Sequence, residues 1–267
     1  MSTIETTAGR IGLTEAGSGP ARPILFLHGV GSDKSVWHPQ LAHFGESRRA
    51  IAIDYPGYGE SEARDGATRD DFARAALATL DALEIERAHV CGLSLGGVVA
   101  IALHALAPTR CVSLILADTF AIHPDGQAIH DRAVAASETM TMRALAKARA
   151  GMLLGANASE DVHAEVVATM GAIDPAAYRL GAAAVWLAEQ RERVTAIAVP
   201  TLVLVGEEDG ITPPTLSRAL ATLAGSAAPQ PPPVVLNMIA DAGHLANLEQ
   251  PAAFNRAIDR FLAGVEA

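Results

Sequence analysis

The stretch Ala88–Ala100, AHVCGLSLGGVVA, constrains the fold more than any other part of the chain. A short apolar run leads into Gly92-Leu93-Ser94-Leu95-Gly96, and a second one, Val98 to Leu106, leaves it with helical character. A strand that turns straight into a helix is the first half of a strand–helix–strand unit, whose second strand lies parallel to the first. The turn itself has the pattern G-x-S-x-G. Its serine needs a strained backbone that pushes the hydroxyl outward, so the residues two before and two after it must lack bulk. Gly92 and Gly96 meet that demand, and Gly97 lets the following helix come close to the sheet. In isolation the same pattern also fits a glycine-rich turn between a strand and a core helix, so the flanking sequence has to decide.

That flanking sequence repeats the strand–helix alternation. Two modest strands, Thr3 to Thr7 and Arg10 to Ala16, precede Pro23 to Leu27, a continuous apolar run too short for a helix, as expected of a strand buried on both faces. A helix over Ser35 to Phe44, a strand over Ala50 to Ile53 and a helix over Thr68 to Leu83 follow. Thr68 is placed as N-cap of the last, with Asp70 and Asp71 in its first turn. Val112 to Ala117 is one more buried strand. From Asp118 to about Arg193 the chain becomes Ala- and Met-rich without a convincing strand, with helices near Ala128–Glu138, Met142–Met152, Ala158–Met170 and Pro175–Glu189. The alternation resumes with Thr201 to Val205, Pro213 to Leu223, Val234 to Ile239 and Pro251 to Leu262. The expectation is an α/β architecture, a mostly parallel sheet flanked by helices, with residues 118–193 as a helical cap inserted into a core of 1–117 and 194–267.

Composition narrows the partners. The chain has 267 residues, half of them hydrophobic, and a net charge of −10 without any Lys/Arg block, which argues against nucleic acid or an anionic membrane surface. The opening MSTIETTAGR has no apolar segment, and no later run approaches the roughly 20 apolar residues of a bilayer span, so a cytoplasmic protein is expected. Cys91 and Cys111 read as small buried hydrophobes rather than a disulfide or metal pair.

In an open parallel sheet, ligands bind beyond the carboxyl ends of the strands, so residues at the strand tips come first. Besides Ser94, the tips carry His28-Gly29-Val30-Gly31, Asp118, Gly206-Glu207-Glu208-Asp209 and Asp241-Ala242-Gly243-His244. A serine hydroxyl needs a base within hydrogen-bond reach, and the base needs an acid to hold its tautomer. His244 is the candidate base. Asp209 is the candidate acid, in competition with Glu207, Glu208 and Asp118. The backbone N–H groups of Val30 and Leu95 are candidates for an oxyanion hole. His28, Gly29, Trp37, Asp118, Phe120, His123 and Trp186 are candidate pocket residues. Within that group, His28 more readily shapes the oxyanion loop than shuttles protons, and Trp37 and Trp186 serve equally as core or helix anchors. No metal or organic cofactor is implied, because the triad generates its own nucleophile.

These motifs resemble the α/β-hydrolases along nearly the full chain. The resemblance rests on His28-Gly29, the turn Asp54 to Ser61, the elbow at Ser94, Gly206-x-x-Asp209-x-x-x-Pro213, and Gly243-His244. Within that superfamily the segment His244 to Pro251, with Gly92 to Gly97 and Tyr178 to Arg191, is most similar to 3-oxoadipate enol-lactonases. The resemblance implies a serine hydrolase of a small ester or lactone that forms an acyl-enzyme. A carbon–carbon bond hydrolase, a thioesterase or amidase, a cofactor-free peroxidase and a non-catalytic lactone receptor stay open on the same triad. The enol-lactonase pattern carries an arginine and then a tryptophan after the strand ending at Ala117, where this chain has Phe120-Ala121-Ile122-His123. Of the cap cations, Arg132, Arg143, Arg149 and Arg179 are candidates to hold a substrate carboxylate, against the plainer reading of solvated helix faces.

Overall fold

The computed structural model describes residues 2–267. Its strands are β1 (Ser2–Thr6), β2 (Gly9–Ala16), β3 (Ala21–Leu27), β4 (Arg48–Ile53), β5 (Ala88–Leu93), β6 (Cys111–Ala117), β7 (Thr201–Gly206) and β8 (Val234–Ile239). They form one sheet in the order β1-β2-β4-β3-β5-β6-β7-β8. The β1–β2 hairpin joins β4 antiparallel, and every other pairing is parallel. Strands β5 and β7 are buried at every residue, which is why they read as unbroken apolar runs. The outermost strand, β8, is partly open to solvent.

The helices are α1 (His38–Phe44), α2 (Arg69–Ala82), α3 (Leu95–Leu106), α4 (Gly126–Thr139), α5 (Met142–Leu153), α6 (Glu160–Gly171), α7 (Pro175–Trp186), α8 (Arg191–Thr195), α9 (Pro214–Leu223), α10 (Ala246–Glu249) and α11 (Pro251–Glu266). Helix α2 begins with a complete capping box, in which Thr68 and Asp71 satisfy each other's backbone N–H groups. Between β6 and β7, α4 packs on α7 and α5 on α6, while α7 also rests on α3 and α2. Among the described residues no helix is long and apolar enough to cross a membrane.

Several elements differ from expectation. Ser35–Phe44 is a 3₁₀ turn over Lys34–Trp37 followed by α1, because Pro39 lacks the N–H needed to continue one helix and instead sits in the first turn of the next. Helix α7 stops at Trp186 rather than Glu189, and Glu189 pairs with Ile122 in an isolated bridge. Helices α8 and α10 have five and four residues, too few to leave a periodic signature.

Candidate active site

Strands β3 to β8 run in parallel, so the residues that follow them gather at one edge of the sheet. Backbone bonds carry the ladder into those tips: Ser94 N–H donates to Ala117 O, Asp118 N–H to Leu204 O and Glu207 N–H to Ile239 O, each at 2.9 Å. Ser94 has φ 55°, a conformation that costs a non-glycine residue roughly 1–3 kcal/mol. The surrounding packing enforces it. A Cβ on Gly92 would collide with the Gly96 carbonyl, and one on Gly96 with the Leu27 carbonyl. Helix α3 therefore starts at the residue after the serine and close against the sheet.

The turn brings three side chains into line. Ser94 Oγ lies 3.0 Å from His244 Nε2, and His244 Nδ1 lies 2.9 Å from Asp209 Oδ2. All three are buried. The network assigns the imidazole proton to Nδ1, which leaves Nε2 to accept from the serine hydroxyl. Asp209 Oδ1 accepts from the N–H groups of Ile211 (2.8 Å) and Thr212 (2.9 Å), and its Oδ2 accepts from the Thr212 hydroxyl at 2.6 Å. Burial works against ionising Asp209, but His244 and these donors outweigh it and hold the carboxyl well below the usual carboxylate range. Thr212 was absent from the sequence reading. An Asp with a Thr three residues on, at a strand tip where the chain must turn, is the local pattern that marks it.

Of the competing acids, Glu207 and Glu208 are exposed, and Glu208 accepts the backbone N–H of Ala156 at 2.7 Å. Asp118 sits behind the relay. Its Oδ1 accepts from Gly206 N–H at 2.9 Å, its Oδ2 is buried with no partner, and its own φ is 48°. Burial, and then the charge of Asp209, push the Asp118 carboxyl well above its ordinary range, opposite to the shift of its neighbour. Asp118, Asp209 and His244 come within 4.8 Å of one another, close enough in principle for a metal ion. The donor set fits one poorly, because metal ligands must be free to coordinate, whereas Asp209 and His244 already bond each other, Thr212 and Ser94.

Neither the Val30 nor the Leu95 N–H donates to an acceptor among the described residues. Leu95 follows Ser94 in the chain, and Val30 lines the same pocket as Ser94. The loop bearing Val30 is braced from below. His28 Nδ1–H donates to Gly29 O (2.8 Å), and His28 Nε2 accepts Tyr55 N–H (3.4 Å). Tyr55 donates its hydroxyl to His28 O and Tyr58 to Val30 O. Burial lowers the His28 pKa despite the nearby Asp54, as suits a neutral structural imidazole.

The pocket above Ser94 and His244 is lined by the oxyanion loop and by apolar side chains such as Leu153, Val166, Met170, Ile211 and Leu248. Of the candidate pocket residues, Gly29 and Trp186 line it. Five other expected pocket residues do not. His28 and Asp118 lie beneath it for the reasons above. Trp37 is fully buried against Phe26 and Phe254, because the 3₁₀ turn directs its ring into the core. Phe120 is buried and stacks on Trp186, supporting the wall from behind. His123 lines a neighbouring groove between α4, α5 and the segment 210–216, with Nε2 3.3 Å from Ile211 O. Arg149, Trp186 and Ile211 line both pocket and groove and so form the partition between them. Tyr178 also lines the pocket; its place on a buried helix face gave no sequence signal beyond ordinary core packing.

A sequence profile for the Alpha/beta hydrolase family matches residues 24–257. The chain is 27% identical over 250 residues to 3-oxoadipate enol-lactonase 1 of Acinetobacter baylyi, covering 92% of this chain and 90% of that one. The crystal structure of the enol-lactonase from Burkholderia xenovorans LB400 superposes with a TM-score of 0.88 at 28% identity, covering 98% of this chain and all of that one. A thermophilic esterase from Thermogutta terrifontis, studied with malate bound, superposes with a TM-score of 0.87 at 28% identity, covering 100% and 99%.

Proposed function

The chain belongs to the alpha/beta hydrolase family, and from that premise we propose that it hydrolyses a small carboxylic ester or lactone through an acyl-enzyme on Ser94. The observation that carries the reading is the continuous relay from Ser94 Oγ through His244 to Asp209, with spacings of 3.0 and 2.9 Å. His244 Nε2 takes the hydroxyl proton as Ser94 Oγ attacks the carbonyl carbon. Asp209, ionised across the working range, stabilises the imidazolium that forms. The free N–H groups of Val30 and Leu95 receive the developing oxyanion, in a pocket whose apolar walls keep its dielectric low. Collapse of the tetrahedral adduct breaks the ester C–O bond, and the proton on His244 passes to the departing alkoxide. Water repeats the sequence on the acyl-enzyme and releases the acid. The likeness to two enol-lactonases supports an enol-lactone as the first substrate to try.

The test is hydrolysis of 3-oxoadipate enol-lactone, followed by loss of enol absorbance, beside short p-nitrophenyl esters, with wild type and Ser94→Ala. Serine-dependent turnover of either class is the expected result, with a loss of at least about 1000-fold in the variant. Equal rates in wild type and variant, or no serine-dependent turnover of any ester or lactone, would remove the reading.

A further inference from the structure

One cation of the pocket makes no ion pair among the described residues. Arg149, on α5, is partly buried and lines the same pocket as Ser94 and His244. The chain carries 30 acids against 20 Lys and Arg, and other arginines on its elements find one of them: Arg48 pairs with Glu266, Arg49 with Glu15, Arg110 with Asp81 and Arg193 with Asp70. Arg149 pairs with none among the described residues, and its one hydrogen bond goes to the Tyr178 hydroxyl at 3.4 Å. Tyr178, itself almost fully buried, accepts that bond, while its own O–H finds no acceptor among the described residues. Burial raises the Tyr178 pKa and keeps it a donor, although Arg149 pulls the other way. Trp186, on the same wall, carries a buried indole N–H without a partner. Arg149 and Tyr178 thus bring a cation and an O–H without an acceptor to one wall of the pocket, and Trp186 on that wall carries a buried N–H without a partner.

Such a constellation is costly unless a ligand completes it, and the ligand that does so offers acceptors only and a negative charge. Resting on the serine-hydrolase reading, we propose that Arg149, with Tyr178, forms a carboxylate subsite, and that the preferred ester or lactone carries a free carboxylate on the side of the scissile carbonyl facing α5. The other cap arginines are elsewhere. Arg132 lines the outer groove, Arg143 a separate hollow on α5 and α6, and Arg179 donates to Ser137. The one acid lining the pocket, Glu165, lies 3.3 Å from His38 Nε2 and opposes the anion only from the rim.

A matched pair of substrates reads the subsite directly: mono-p-nitrophenyl glutarate, which ends in a carboxylate, and p-nitrophenyl methyl glutarate, in which that end is capped. Wild type is expected to favour the anion by about 10- to 100-fold in kcat/KM, mostly through KM. In Arg149→Met that ratio falls to about one, and Arg149→Lys recovers part of it, because it keeps the charge but loses the fork. The ratio is internal to each preparation, so a lower folded fraction leaves it unchanged. Calorimetric binding of the same two esters to Ser94→Ala gives the same comparison without turnover. A wild-type ratio near one, a ratio that survives Arg149→Met, or equal binding of the two esters by Ser94→Ala overturns the subsite. If both esters bind with the expected preference but neither is cleaved, the subsite stands and the hydrolase reading is what fails.

Discussion

Two aspartates lie within reach of one histidine, and their environments drive them apart. Asp209 receives two backbone N–H groups, a threonine hydroxyl and the imidazole, so it stays charged. Asp118 receives one backbone N–H, keeps an unpartnered oxygen and faces the charge of Asp209, so its pKa is driven up. Their roles should then separate cleanly on amide substitution. Asp209→Asn removes the acceptor that fixes the His244 tautomer and should cost on the order of 10⁴-fold in kcat. Asp118→Asn keeps the shape of the side chain and an oxygen for Gly206 N–H, so kcat should stay within about threefold. Initial rates on any accepted ester decide it. A loss above about 100-fold in Asp118→Asn would mean that Asp118 is ionised and shares the base. The strained φ values of Ser94 and Asp118, 55° and 48°, occur at adjacent strand tips, where the packing of β5, β6 and α3 leaves the backbone no other route.

Between elements, the connection from α5 to α6 is fastened to both loops that carry the relay. Glu249, in α10, accepts Gly155 N–H from that connection at 2.7 Å and the Gly243 and Leu245 N–H groups on either side of His244 at 3.0 and 3.2 Å. His244 N–H itself donates to Leu153 O at 2.8 Å, and Glu208, next to Asp209, holds Ala156. Burial raises the Glu249 pKa, and the three backbone donors oppose that rise. The end of the helix bearing Arg149 is thus joined to the loop bearing His244 through the Leu153 carbonyl, and the connection after it through one carboxylate, so pocket wall and base share a position. Glu249→Ala leaves three backbone donors without their acceptor and should lower stability by about 2–3 kcal/mol, read by urea unfolding. It should also lower kcat/KM by at least about 10-fold, since a small displacement of His244 from Ser94 is expensive. Glu249→Gln keeps one carbonyl oxygen and should fall between wild type and Glu249→Ala in both measurements. If Glu249→Ala loses stability but keeps its full rate, the clamp holds the helices together without setting the base.

Across the whole molecule, what could be read in advance was what repeats or what a motif demands. Strands β3 to β7 announce themselves because burial on both faces requires unbroken apolar residues, Ser94 and Asp209 because each follows such a strand within a few residues, and His244 because it follows a glycine just beyond the partly open strand β8. Of the wall that α5, α6 and α7 give the pocket, only Trp186 and Arg149 stood among the candidates, each beside others that line no part of it, because that wall depends on how far the three helices rotate about their axes. A one-residue difference in that rotation exchanges Arg149 for a solvent-facing neighbour, and Trp37 went to the core through a 3₁₀ turn that no periodicity reveals. The return from the inserted helices to the sheet depends on another contact without a local signature. Arg193 of α8 grips Asp70 of α2 with two bonds, at 2.7 and 2.8 Å, across 123 residues of chain. Hydrogen bonding from Arg193 brings the Asp70 pKa down to about 2 from its ordinary 3.8. A carboxylate with a depressed folded pKa stabilises the fold above its unfolded pKa, and that contribution drains away as pH falls through the folded value. Asp70→Asn should therefore be less stable than wild type by about 1 kcal/mol at pH 7, after allowance for the partial exposure of the pair. The gap should hold down to about pH 5 and narrow steadily from about pH 4 toward pH 2. Urea midpoints of the two proteins across that range measure it, and a gap that stays constant through pH 3 would mean that Arg193 contributes packing rather than charge.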